Sequence, residues 1–174
     1  MERAQEWARA NGATPAFVRL APLYWELAPE RGVRPEIAYA QSAKETAFGR
    51  FGGVLNASFH NPCGLKRTAG GGNFDRSAHG RFATWRQGVI AHLDHLALYA
   101  GVRGYPKRAT PDPRHFGFLR GRAHTVEALG GAWAPSVSYG EEVVAYAHEI
   151  GLAPPPPAEP PVEPAPHFAE GAAV

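Results

Sequence analysis

Apolar and polar positions recur at helical spacing over most of the chain. Glu2 to Asn11 reads as a helix stopped by Gly12, and Thr14 with Pro15 opens a second that runs to Trp25, with Pro22 as a kink point. A third starts at Pro35, a good first-turn residue, and continues through Phe48 to a stop at Gly49. Thr84 caps a fourth from Trp85 to Tyr99, in which Val89, Leu93, Leu96 and Ala100 share a spacing and Gly101 follows. A short helix over residues 125–129 precedes Gly130-Gly131. The last is announced by Ser138-Tyr139-Gly140-Glu141, read as a capping box, and ends at Gly151.

Between residues 49 and 84 the pattern breaks. Eight glycines make helix improbable there, and the runs Gly64-Leu65-Lys66-Arg67 and Arg81-Phe82-Ala83-Thr84 are expected to pair as a small hairpin. The fold class expected is therefore α+β and mostly helical: two lobes with a cleft, the smaller one Gly-rich and hairpin-bearing. Residues 1–153 form the expected domain. Residues 154–174 hold eight of the seventeen prolines and read as an extended acidic tail or linker without a core of its own.

At 174 residues, 44% apolar and 20% charged, the chain suits one globular domain with a single core. One cysteine excludes a disulfide framework and a thiolate zinc site. No apolar run reaches the ~20 residues of a membrane helix, and Met1 to Trp7 alternates charged and apolar residues unlike a secretion signal. Residues 1–153 carry 18 basic against 13 acidic groups, a balance suited to an anionic polymer. The basic residues are scattered singly rather than clustered with aromatics, which argues against nucleic acid.

The third predicted helix is apolar nearly all round, so it should be buried. At 100° per residue Glu45 falls about 40° from Gln41 and about 60° from Phe48, towards the Ile37 side. A carboxyl there, beside an aromatic and a Gly-rich loop, would be desolvated and its pKa raised, as a general acid requires. The plainer reading is an ion pair with Lys44 or a bond to Gln41. Between Glu45 and Asp94 the only acidic residue is Asp75, either a second carboxylate across the cleft or a turn residue bonding its own backbone. Cys63 could be a nucleophile with His60 or His79, but lacks a helix N-terminus to activate it and reads as a small buried hydrophobe. His92, Asp94 and His95 invite a metal reading and read better as the polar rim of an amphipathic helix. No metal or cofactor is expected.

Ala40-Gln41-Ser42-Ala43-Lys44-Glu45-Thr46-Ala47-Phe48-Gly49, then Asn61-Pro62-Cys63-Gly64-Leu65-Lys66, then Trp133-Ala134-Pro135-Ser136-Val137-Ser138-Tyr139-Gly140 resemble the glucosaminidase family of peptidoglycan hydrolases, glycoside hydrolase family 73, over roughly residues 33–150. The departure is Pro62-Cys63, where an apolar-aromatic pair is usual. The resemblance implies a lysozyme-like fold and cleavage of the β-1,4 bond between N-acetylglucosamine and N-acetylmuramic acid. It makes Glu45 the catalytic acid and Tyr139 a residue of the catalytic subsites. Asp75 is then a candidate second carboxylate unless the substrate's acetamido group takes its place, and Gln41, Asn61, Lys66 and Trp133 are candidate glycan contacts. Two alternatives stay open: a lytic transglycosylase, and a glycan-binding module without turnover. The expected partner is the glycan of the bacterial wall, met by a monomer without membrane insertion. Delivery would be by phage-type release, on a virion, or as part of a larger secreted chain.

Overall fold

The computed structural model describes residues 1–67 and 71–151. Six α-helices are present among them: α1 (Glu2–Ala10), α2 (Pro15–Val18), α3 (Ala21–Leu27), α4 (Pro35–Thr46), α5 (Trp85–Ala100) and α6 (Tyr139–Ile150). The expected Pro-rich tail lies outside the described residues.

The helix predicted from Pro15 to Trp25 is broken in two. Pro22 has no N–H and its ring would clash with the carbonyl four residues back, so the chain stops at Val18 and restarts with Pro22 in the first turn of α3. Thr84 caps α5 through a bond from the Gln87 amide to its hydroxyl, 3.2 Å, and Gly101 closes the helix in the left-handed region. The capping box expected at α6 does not form. Ser138 has helical backbone angles, and its hydroxyl donates to the Glu142 carboxylate instead, 3.0 Å.

α4 lies at the centre, packed on α3, α5 and α6. Ile37 to Ala43 are all buried, and three alanines in this helix let its neighbours approach closely. It ends at Thr46 rather than Phe48 because the chain turns left-handed at Ala47 (φ 48°) and Phe48 (φ 59°) before Gly49 (φ 80°). Gly49 is required there, since a Cβ would lie 2.5 Å from Thr14 Oγ1 and 2.7 Å from Phe17 Cβ. The turn drives Phe48 into a cluster with Trp7, Phe17 and Tyr146, which offsets the strain of the left-handed residues.

The hairpin is corrected. The described residues of the 49–84 segment contain no strand, only one antiparallel bridge between Lys66 and His79, closed by Arg67 N–H to Ala78 O and Gly80 N–H to Leu65 O, both 2.7 Å. The partner of residues 65–67 is 78–80, not 81–84. Buried Asn61 does the work of a ladder instead: its amide donates to Leu65 O and Gly80 O, both 2.9 Å, and its carbonyl accepts Leu65 N–H, 3.0 Å. Cys63, Leu65 and Phe82 form a small second core against Ala91 of α5, with Trp133 packed on it. The architecture is mostly helical and consistent with a lysozyme-like α-rich fold.

Candidate active site

Glu45 is the penultimate residue of α4, so its backbone is fixed by the central helix while its side chain leaves the core. It lines a cleft of about 390 Å³ together with Gly64 and Lys66 from the loop segment, His95 and Tyr99 from α5, and Trp133. An apolar hollow of about 220 Å³ beside Ile37 and Leu129 holds no carboxylate and lies away from it.

The two oxygens of Glu45 are not equivalent. Oε1 accepts the Trp133 indole N–H at 3.1 Å and the Tyr139 hydroxyl, whereas no hydrogen bond reaches Oε2 among the described residues. Oε2 faces Gly64, 3.7 Å from where a Cβ on that residue would stand. An oxygen that already accepts two bonds is a poor seat for a proton, so the acidic proton belongs on Oε2. Burial raises the Glu45 pKa above the ordinary carboxylate value, and the bonds from Tyr139 and Trp133 and the nearby Lys44 charge offset this only in part. Lys44 itself pairs with Glu142, not Glu45.

Tyr139 is oriented from behind. Because its hydroxyl donates to Glu45, its oxygen accepts the Gln41 amide N–H, 3.0 Å. That turns the Gln41 carbonyl to the His92 Nε2–H, 2.9 Å, and leaves His92 Nδ1 to accept the Tyr24 hydroxyl, 2.8 Å. Burial pushes the His92 pKa down to about 3, so the ring is neutral and can donate on one side while accepting on the other. Every donation in this row points towards Glu45. Tyr24, Gln41 and His92 are each 0% exposed, so no water competes for a place in it.

The expected site residues therefore divide. Glu45, Trp133 and Lys66 line the cleft and Tyr139 touches Glu45. Gln41 and Asn61, expected at the glycan, are fully buried and turn to protein partners. Asp75 is exposed, does not line the cleft, and accepts the Ser77 amide at 2.9 Å and hydroxyl at 2.7 Å, which lowers its pKa. Glu45 is the one carboxylate among the described cleft-lining residues. Cys63 is buried at the cleft wall with its thiol pKa pushed well up by burial, a poor nucleophile.

The polar rim expected on α5 is also corrected: His92, Asp94 and His95 are all buried, each with its own partners. Asp94 accepts from Tyr105 and Thr110 at 2.7 Å and from Arg31 and Lys107 at 3.1 Å. His95 donates Nδ1–H to Asp112 Oδ2, 2.8 Å, an oxygen that also accepts from His115 at 2.9 Å. Burial works to raise the Asp112 pKa, but these bonds and the Arg114 amide outweigh it and hold the group ionised. No group of three metal-ligating side chains is assembled among the described residues. The buried partnerships of His92, Asp94 and His95 were missed from sequence, although three ionisable groups within four positions of a largely apolar helix were visible there.

A family model described as "Mannosyl-glycoprotein endo-beta-N-acetylglucosaminidase" matches residues 21–152, a span that contains the cleft and all six groups of the row from Tyr24 to Trp133. The chain belongs to this glucosaminidase family. An uncharacterized protein of Borreliella burgdorferi is 31% identical over 112 residues, which are 64% of this chain and 52% of that one, so the chain spans about half the length of this relative. No solved structure matches. No described helix is long and apolar enough to cross a membrane.

Proposed function

We propose that the protein is a peptidoglycan hydrolase that cleaves the β-1,4 bond between N-acetylglucosamine and N-acetylmuramic acid, with Glu45 as general acid. The observation that carries this is a half-buried carboxyl with a raised pKa, one oxygen held by Trp133 and Tyr139 and the other free towards the cleft. Protonated Oε2 gives its proton to the glycosidic oxygen as the bond to C1 breaks, and Glu45 is left as carboxylate beside the developing positive charge. With no second carboxylate among the described residues that line the cleft, the carbonyl oxygen of the substrate's own 2-acetamido group is the nucleophile taken for C1. The resulting oxazolinium is opened by water, whose proton returns to Glu45. Tyr139, whose own pKa is raised by burial and by Glu45, stays a donor throughout.

A single-carboxylate cleft also fits a lytic transglycosylase, in which a hydroxyl of the sugar replaces water. Mass spectrometry of borohydride-reduced fragments from purified peptidoglycan separates the two. Reduced N-acetylglucosamine ends, absent with Glu45→Gln, support the hydrolase. Anhydro-muramic ends move the assignment to the transglycosylase, and intact glycan with bound protein leaves a binding module.

A further inference from the structure

The cleft does not end at the sugars. Lys66 and Arg114 line it, and their chain neighbours Arg67 and Pro113 line an adjoining hollow of about 380 Å³ that also contains Arg81. Arg67 and Arg81 in turn line a third hollow of about 360 Å³ with Arg76. Five cations thus follow one another from the cleft outwards. Not one has an acidic partner within ion-pair distance among the described residues, a state they share with eight other arginines, so what sets them apart is their convergence on the cleft and its adjoining hollows. Their positions are held by other means. Arg76 and Arg81 lie over the Phe59 ring at 5.0 and 4.2 Å, Arg81 donates to Ser58 O at 3.3 Å, and Lys66 donates to Gly71 O at 2.8 Å. Arg114 Nε is the only buried side-chain polar atom without a partner among the described residues, and its backbone is anchored by Asp112. Asp75 and Asp112 are the acids nearby in sequence, and both are engaged elsewhere, Asp75 Oδ1 by Ser77 and Asp112 by His95, His115 and the Arg114 amide.

Unpaired cations held beside a cleft are a binding surface for an anion-bearing ligand. From this row we propose that Arg114, Lys66, Arg67 and Arg81 bind the carboxylates of the peptide stems carried by the glycan, so that the protein recognises stem-bearing strands over bare ones. The inference rests on the glycan cleavage proposed above. A nucleic acid or polyphosphate is disfavoured, because its charge repeats at every unit, whereas the inner end of the row is lined by Trp133, Tyr99 and the Glu45 carboxyl rather than by further cations. In a wall glycan the sugar at Glu45 is neutral and the carboxylates hang outwards on the stem.

The test uses the full chain and the double variant Arg67→Gln/Arg81→Gln, whose exposed side chains leave the core untouched. Co-sedimentation at low salt is measured on teichoic-acid-free peptidoglycan, on the same strands after an amidase has removed the stems and the muramyl carboxylates so freed have been converted to amides, and on duplex DNA. Expected is a weakening of about five- to tenfold on stem-bearing strands, in line with two exposed charge pairs, and no change on stripped strands. Equal binding of variant and wild type on stem-bearing strands overturns the inference, as does an equal loss on stripped strands or tighter binding to DNA. Stem-dependent binding with no cleaved ends in the mass spectra would sink the hydrolase reading and keep the row of cations. Cleavage with stem-independent binding would do the reverse.

Discussion

Glu45, Tyr139 and Trp133 set one another's chemistry, and the sign of each effect is fixed by which protonation state it favours. The Tyr139 hydroxyl bonds the ionised carboxylate and so lowers the Glu45 pKa against burial. Tyr139→Phe should raise it further. A general acid is active protonated, so its activity is lost as pH rises through its pKa, and the alkaline limb of the kcat/KM profile should move to higher pH. The plateau should fall by about tenfold for one lost hydrogen bond. A limb displaced to lower pH would contradict the assignment. The same pKa bears on stability. A carboxyl whose folded pKa is raised destabilises the fold above that pKa, and the penalty disappears as pH falls below its unfolded value. Glu45→Gln should therefore raise Tm by about 2–4 °C at pH 8 per ~1 kcal/mol of relieved cost, and by nothing at pH 4. Thermal melts at the two pH values check this. Glu45 was legible in the sequence because a carboxyl on a largely apolar helix beside a glycine-rich loop is an anomaly and because the residues around it resemble the family's motif. Gln41 was not correctly placed, since helix geometry gives its face but not the Tyr139 that lies 98 positions away.

At the scale of elements, what positions Tyr139 is the close approach of α6 to the turn over Glu127–Leu129. A Cβ on Gly140 would stand 2.2 Å from Val126 O and 2.5 Å from Glu127 Cα, both backbone. Gly140→Ala should push the first turn of α6 outwards and carry Tyr139 from Glu45. We expect a stability loss of about 1–3 kcal/mol with a clear fall in kcat, measured by urea melts and turnover. Unchanged turnover in a folded variant would show that Tyr139 is placed by other contacts. Helix starts at Pro15, Pro35 and Trp85 were readable because proline and a threonine cap act locally. The capping box at Ser138 and the hairpin failed for one reason. Both patterns have local competitors, the Glu142 side chain in one case and the Asn61 side chain in the other, and tertiary placement decided which was used.

Across the whole molecule the row Tyr24, His92, Gln41, Tyr139, Glu45 ties α3, α5, α4 and α6 together through the core. His92 makes that tie sensitive to acid. Above about pH 6.5 the ring is neutral folded or unfolded and costs nothing; below it the unfolded chain takes up a proton that the folded protein refuses until about pH 3. Stability should fall with pH across that window by up to about 1.4 kcal/mol per unit. His92→Gln should flatten the slope, as read from urea melts between pH 7 and 4. A slope that survives the substitution would assign the acid sensitivity elsewhere. The basic balance of the body was visible in the composition, but not that five cations line up. Lys66 and Arg114 are 48 positions apart, and only the folded loops bring them to one cleft.

The one-way row also has a clock in it. The His92 Nε2 hydrogen and the Gln41 amide hydrogens are enclosed by four helices and held between partners that are themselves buried. They can trade places with solvent hydrogens only when those helices part, which ties their residence time to the opening of the fold. A deuterium label placed there during refolding would remain as a record of when the molecule last came open.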